Sequence, residues 1–492
     1  MEKTDVLVVG GGLVGLSSAL FLARAGVDVT LVERHPATSV HPRARGVNPR
    51  TVEILRGCDP AIEEAMRDTP SARALVDNDG VLAMTSLAGE QIAELDQPYL
   101  LGLRADWSAL SPARWCLCDQ DELEPILRDA ARRHGADVRF GTALSSWDQD
   151  DDAVYATLRV DGADRAVRAR YLIAADGVAS PIRTTLGIGR TGHGTLAHYL
   201  SMYFRADLRE PLRGRRFVLG YVVNDDVMGA LVPVDNAERW LLHVPVDPED
   251  EDVLDWPRER HVELIRAAAG VPDLDPEVIA VLPWEASGTV AERMRVGRAF
   301  LAGDAAHVMP PTGAFGSNTG IQDAHNLCWK LAAVLRGDAG PALLDSYESE
   351  RLPVARRTVE QAVRRSQDRP RLVRAVDSRI AAGIVPDPVV MFGYRYGAGT
   401  DAGVFDVTGD GGPGTRLPHA WLEDGRSTLD LVDPNGFTLL VEGAAAPSVD
   451  GVRVHHGSPL GGAILVRPDG FVAWQGESAD GAAAALASLL DR

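Results

Sequence analysis

From Val6 to Ala23 no side chain is charged, yet Gly10–Gly12 and Gly15 interrupt the apolar run. A continuous helix would lose about 1 kcal/mol at each such glycine, and Glu2, Lys3 and Asp5 do not make the positive leader of a secretion signal. A strand–turn–helix accounts for them instead. Asp5–Val9 is a β-branched strand, Gly10–Gly15 a glycine turn and Leu16–Arg24 a helix ended by Gly26, and Val27–Val32 returns as a second strand with Glu33 at its end. Two later apolar runs have the same design. "RARYLIAADGVASPIR" (Arg168–Arg183) ends its strand at Asp176-Gly177, followed by Ser180 and Arg183. "GRAFLAGDAAHVMPPTGAFGSNTGIQDAHNLCWKLA" (Gly297–Ala332) ends its strand at Gly303-Asp304, and a Gly/Pro-rich loop and a helix from about Gly320 follow.

Between these runs the period falls to two. "LSMYFRADL", "RFVLGYVV", "MGALVPV" and "RWLLHVPV" read as strands of a mostly antiparallel sheet, with a helix over Arg258–Gly270 lying on it. A long charged helix, bent at Pro353, is expected from Asp345 to about Ser366, and a helix over about Arg50–Arg56. From Gly409 a Gly/Pro-rich linker leads to two expected hairpins, "STLDLVDPNGFTLLVEG" and "GGAILVRPDGFVAWQG", turning at Asn435-Gly436 and Pro468-Asp469-Gly470, with a closing helix over Ala479–Leu490.

Length and charge then bound the function. A chain of 492 residues exceeds one ordinary core. The net charge of −20 disfavours nucleic acid and anionic membrane surfaces as partners. Cys58, Cys116, Cys118 and Cys328 form no disulfide framework, and neither they nor His455 and His456 have metal-ligand spacing, so no metal site is expected and a reducing cytoplasm fits.

The glycine turn carries the first chemistry. In G-x-G-x-x-G, Gly10 makes the tight turn, Gly12 lets the backbone approach a pyrophosphate, and Gly15 lets helix and strand pack closely, with the helix N-terminus favouring phosphate charge. Glu33 is spaced to meet a ribose hydroxyl. Arg43 and Arg45 follow in a punctuated loop, as pyrophosphate partners or as plain surface arginines. Asp176 and Asp304 each lie just past a strand's carboxyl end, where ligands bind in open α/β sheets; Asp304 could accept bonds from ribitol hydroxyls.

Gly10–Gly15, Asp176-Gly177 and Gly303-Asp304, in that order, resemble the single-component FAD-dependent aromatic hydroxylases typified by para-hydroxybenzoate hydroxylase. "HPRARGVNPRTVEIL", "DQDELEPIL", "GIGRTGHGTL" and "GDAAHVMPPTG" are similar to the polyketide hydroxylases among them, such as aklavinone hydroxylase, and the resemblance spans essentially the whole chain. It implies an α/β fold: a Rossmann-like FAD-binding domain (1–75, 105–185, 286–345), an inserted, mostly antiparallel substrate domain (76–104, 186–285), a helical connector (346–398), and a thioredoxin-like domain (405–492). That last domain lacks any cysteine, which excludes a dithiol role.

By the same resemblance FAD is held by Gly10, Gly12, Leu13, Val14, Gly15, Glu33, Arg34, Arg43, Arg45, Gln120, Asp176, Gly177, Arg183, Gly303, Asp304, Pro310, Gly313, Gly316, Ser317 and Asn318. NADPH or NADH visits a surface groove transiently, where Asp176 and Arg183 serve both ligands, and O2 is the co-substrate. The flavin C4a-hydroperoxide passes an oxygen atom to a phenolic polycyclic polyketide of an antibiotic pathway. Tyr221 and Arg395 (in "MFGYRYGAGTDAGVF", which resembles a segment bordering the substrate cavity) are candidates to orient substrate or stabilise its phenolate, against ordinary packing as the other reading. "TGAFGSN" departs from relatives that carry a further glycine or a Gln. A homodimer is compatible with this reading. Baeyer–Villiger or another oxygenation stays open as an alternative, as does a non-catalytic flavin-binding partner; the Trp-x-Trp-x-Ile-Pro signature of flavin halogenases is absent.

Overall fold

The computed structural model describes residues 1–94, 106–247, 249, 253–368, 383–397, 411–443 and 448–491. The part of the expected cavity-bordering segment over 398–405 and the linker start at 409–410 lie outside them.

Two eight-stranded sheets and one of four strands form its layers. In the first, the strands Val29–Glu33, Glu2–Val9, Ala163–Ala174 and Ala299–Leu301 lie side by side and parallel. Their near-continuous buried runs are those of strands covered on both faces. The helix Leu13–Arg24 packs on this sheet together with the long helix Gly316–Arg336. Both helices start earlier than their apolar periodicity indicates. Gly12 caps the first, and the second opens at Gly316 rather than Gly320, because its first turn is the small, polar Gly316–Thr319.

The second sheet is antiparallel except where Leu219–Val223 pairs with Val81–Met84. Its centre is a ribbon longer than the alternation shows, Arg190–Arg205 against Glu277–Ala291, with bulges after Gly192 and Thr195. The ribbon begins inside "GIGRTGHGTL" and runs past residue 285, and His307–Val308 joins its edge, so the sheet crosses the expected boundary there. The helix Arg258–Ala269 covers the far face, closing a core around Trp240, Phe204 and Phe217.

In the third sheet the expected first hairpin is absent. Thr428–Leu431 is a 3-10 turn, because Ser427 and Asp430 form a reciprocal capping box. The strand Phe437–Val441 instead pairs parallel to Val452–His456 and antiparallel to Ala463–Val466. The second hairpin, Ala463–Val466 with Val472–Gly476, is as expected. The helix Asp345–Asp368, with Pro353 inside it, lies between this sheet and the rest.

Candidate functional site

Register places the motifs together. Val9 pairs with Val32 and with Ala174, and Ala174 pairs with Leu301. Gly10, Glu33, Asp176 and Gly303-Asp304 therefore leave one edge of the sheet, at the carboxyl ends of adjacent parallel strands.

The three motif glycines are required for different reasons. Gly10 has φ +111°, and a Cβ there would lie 2.1 Å from the Ala175 carbonyl oxygen. A Cβ on Gly15 would lie 1.9 Å from the Gly10 oxygen. At Gly12, with φ −80°, a Cβ would meet only Glu124 Oε1, at 3.7 Å. The fold itself thus demands Gly10 and Gly15, whereas Gly12 faces open space that a pyrophosphate would fill. The Glu33 carboxylate is held by the amides of Gly11 (2.6 Å) and His35 (2.8 Å). Leu13 is buried and Val14 half-buried, and Val14 touches the space beside both Gly303 and Gly320.

The loop after Glu33 returns over this edge. Arg34 and Arg43 are exposed. Arg45 forks onto Asp119 at 2.7 and 3.2 Å and also donates to the Pro233 carbonyl, which ties this loop to the second sheet. Gln120 donates to Glu124 (2.6 Å), whose other oxygen accepts from the Ser39 amide (2.7 Å). Burial raises the Glu124 pKa, against the hydrogen bonds from Gln120 and Ser39. Leu13, Ala44, Arg45, Gly46, Ser317 and Asn318 line one small cleft.

Asp176 takes the Ile182 amide on Oδ2 (3.1 Å), while its buried Oδ1 has no protein partner. Gly177 has φ +79°. Arg183 is buried and donates to the Val178, Ala179 and Ala305 carbonyls (3.3, 3.0 and 3.2 Å), so it fastens the Asp176 loop to the Gly303 turn. Asp304 is exposed between buried neighbours, and the surrounding protein still raises its pKa by desolvation, against the opposing pull of His307 and Arg190. An accessible carboxyl within so much protein mass marks the wall of a cleft. Arg190, not singled out from the sequence, reaches the Asp304 carbonyl at 3.3 Å.

Pro310 and Gly313 are buried, and Gly316 and Ser317 half-buried, along the turn into the long helix. Asn318 spends its whole side chain there. It accepts from the Asn48 amide (3.0 Å) and donates to the carbonyls of Gly46 (2.8 Å) and Ala314 (2.6 Å). Ala314 has φ +53°, a left-handed conformation that L side chains resist. The departure noted in "TGAFGSN" thus includes an alanine in a backbone state that suits glycine.

Facing this edge, the second sheet carries an aromatic row. Tyr221 pairs with Ala230, Ala230 with His243, and His243 with Ser201, all on one face. Tyr199 and Trp284 stack beside them at 4.5 Å. Tyr203, two residues on from Ser201, meets the ring of His41 edge-on at 5.7 Å, which turns this face toward the nucleotide layer. Tyr221 is half-buried in the row, but Arg395 is not brought to it. Arg395 is exposed between buried Tyr394 and Tyr396 and donates to the Pro413 carbonyl (2.9 Å).

Sequence reasoning also missed Asp323, fully buried, which binds His307 (2.6 Å) and Arg351 (2.8 Å). Burial opposes its ionisation, but the pull of His307 and Arg351 outweighs it and holds the pKa below the usual range. The clue was a stripe of polar residues at helical spacing, Thr319, Gln322, Asp323, Asn326 and Lys330, all buried. Among the described residues no cluster has the composition of a metal site, and no helix is long and apolar enough to cross a membrane.

Comparison with known proteins agrees with this geometry. Residues 3–362 match the model of an FAD binding domain, and residues 410–492 that of an aromatic-ring hydroxylase C-terminal domain. The chain is 41% identical to the tetracenomycin A2 monooxygenase-dioxygenase of Streptomyces glaucescens, over 100% of this chain and 97% of that one. It is 38% identical to an aklavinone 12-hydroxylase of Streptomyces purpurascens, over 100% and 99%. Among solved structures, the complex of aklavinone-11 hydroxylase with FAD and aklavinone superposes with a TM-score of 0.88 at 37% identity, covering 100% of both chains. Glycine turn, paired strand-end aspartates and aromatic second layer, matched along the whole length, place this chain in the FAD-dependent aromatic-ring hydroxylase family as a flavoprotein monooxygenase.

Proposed function

We propose that the protein hydroxylates a phenolic, polycyclic aromatic polyketide in antibiotic biosynthesis, consuming NADPH or NADH and O2. The observation that carries this reading is the aromatic row Tyr221–Ala230–His243 on the sheet face turned toward the nucleotide layer. The small Ala230 between two rings leaves a shallow bay suited to a flat, fused-ring substrate. Kinship with enzymes named for tetracenomycin and aklavinone supports the substrate class.

The residues fit FAD. Glu33 would take the adenosine ribose, the Gly12–Leu13 amides the pyrophosphate and Asp304 the ribitol, and the Pro310–Asn318 turn would lie along the ring system. FAD, when bound, would supply oxygen activation and oxygen-atom transfer. The chain's share is to hold the flavin, present the substrate ring from the sheet and exclude water. Tyr221 orients substrate from the row; the exposure of Arg395 weighs against the same role for it. Four free, buried cysteines suit a reducing cytoplasm. The sheet from 411 onward, mixed and backed by a helix, supports the thioredoxin-like reading of that unit.

The test is NADPH oxidation by the yellow, FAD-loaded protein with and without a polycyclic phenol such as an anthracyclinone, with mass spectrometry of the products. Faster oxidation with a product one oxygen heavier and rings intact is expected. An oxygen-inserted product that opens on hydrolysis would favour the Baeyer–Villiger reaction instead.

A further inference from the structure

The C-terminal unit holds no cysteine, and the proposed chemistry gives it no task. Its inner edge nevertheless carries a buried ionic network leading to the flavin turns. Arg467 grips Asp469 (3.0 and 2.6 Å) and Glu350 (2.7 and 2.9 Å). Glu350 also receives Lys330 Nζ (2.7 Å). The next residue on the same helix, Arg351, donates to Asp323 (2.8 Å), to the Thr319 carbonyl (3.2 Å) and to the Tyr396 hydroxyl (3.2 Å). The Tyr396 ring stacks on Phe471 of the C-terminal sheet at 4.2 Å and 28°. Asp323 Oδ2 then accepts from the Gly303 amide (3.2 Å) and His307 Nε2 (2.6 Å), so one carboxylate fixes both ends of the turn bearing Asp304.

A second arm starts from the same edge. Arg416 donates to Glu53 (3.0 Å), and Arg50 joins Glu53 (3.1 Å) to the Asp469 carbonyl (2.8 Å). Both Arg50 and Glu53 lie on the helix Pro49–Cys58, capped by Asn48, whose amide Asn318 holds; Asn318 in turn holds the Ala314 carbonyl. Two arms from one surface thus end on the two loops expected to meet the flavin.

Buried ion networks contribute little net stability against well-packed apolar side chains, but a satisfied one fixes geometry, and breaking it is costly. We propose that the C-terminal unit is a positioning element of the flavin site, acting through its own Arg467 and Phe471 on Tyr396, Arg351 and Asp323 outside it, which serve as the positioning residues. The inference rests on the FAD reading of the Gly303–Asp304 and Pro310–Asn318 turns.

The experiment uses the full chain. It measures FAD affinity by flavin fluorescence, the visible circular dichroism of the bound flavin, and the melting of FAD-free protein, for wild type, Tyr396→Phe, Arg467→Met and the control Arg453→Ala. Arg453 pairs with Asp433 at 2.9 Å elsewhere in the same unit. Loss of a hydrogen bond to a charged group predicts FAD binding about tenfold weaker and an altered dichroism band in Tyr396→Phe. A larger loss is expected in Arg467→Met and no change in Arg453→Ala. Tyr396→Phe deletes one hydroxyl and keeps the ring stack, so it decides the matter even where Arg467→Met fails to fold. FAD affinity within about twofold of wild type and an unchanged band, with only the melting point lowered, would reduce the unit to a structural brace and overturn the proposal. Wild-type protein that takes up no FAD would instead remove the flavin reading beneath it.

Discussion

Replacing Gly12 by alanine separates what the fold needs from what the ligand needs. The added methyl meets only Glu124 Oε1, at 3.7 Å, an ordinary contact, and φ −80° suits alanine. Alanine is a poorer helix cap than glycine but restricts the unfolded chain, and these effects nearly cancel, so FAD-free stability should change by less than about 1 kcal/mol. The same methyl stands where the pyrophosphate must approach. Overpacking of about 2 kcal/mol there would weaken FAD binding about thirtyfold. Gly15→Ala should do the reverse. Its Cβ would lie 1.9 Å from the Gly10 oxygen, backbone that cannot swing aside, so about 3 kcal/mol or more of stability is lost before any ligand is added. Thermal melts of the FAD-free variants beside fluorescence titrations of FAD read both quantities. Native FAD affinity in Gly12→Ala, or an FAD-free melt lowered as far as that of Gly15→Ala, would refute the reasoning.

Glu33→Gln keeps the shape of a carboxylate that anchors Gly11 and His35, and should weaken FAD binding about tenfold by titration, through loss of a charge-assisted bond to the ribose. Ala314→Gly relieves a left-handed alanine worth about 1 kcal/mol and gives back part of it in unfolded-state entropy; a rise in chemical-denaturation stability of about 0.5 kcal/mol is expected. Glu53→Gln leaves Arg50 and Arg416 buried without their shared counter-charge, a loss of about 3 kcal/mol or more in the same assay. Burial, with the Arg50 charge next, pushes His325 down to about 3. Its unfolded form takes a proton near pH 6.5 while the folded form does not, so stability is full above that pH. It falls by up to about 1.4 kcal/mol per pH unit as the pH drops toward 3. His325→Gln should flatten that slope by about one proton in pH-dependent denaturation.

The nucleotide half of the site was legible because its demands are local. A glycine turn needs particular residues at fixed spacing, and a strand end is visible from where the apolar run stops at Asp176 or Gly303. The proposed substrate wall was legible only as strands, since cross-strand register, not chain order, sets Tyr221 beside Ala230 and His243. The sequence leaves open whether Arg395 packs or faces substrate, because the burial of its neighbours Tyr394 and Tyr396 depends on distant Phe471. The polar stripe from Thr319 to Lys330 has the pattern of a solvated helix face, and nothing local shows that Arg351 and Glu350 cover it. Ser427 and Asp430 were likewise taken into a strand because their capping box competes with the β-pattern around them.

The central claim is that this chain transfers one atom of molecular oxygen to an aromatic polyketide. The most direct test is turnover of an anthracyclinone by the FAD-loaded protein with NADPH under oxygen-18 gas, with mass spectrometry of the organic product. The account predicts a hydroxylated product, rings intact, carrying the heavy label from the gas and none from labelled water. NADPH consumed into peroxide alone across a panel of polycyclic phenols, or an oxygen derived from water, would contradict it.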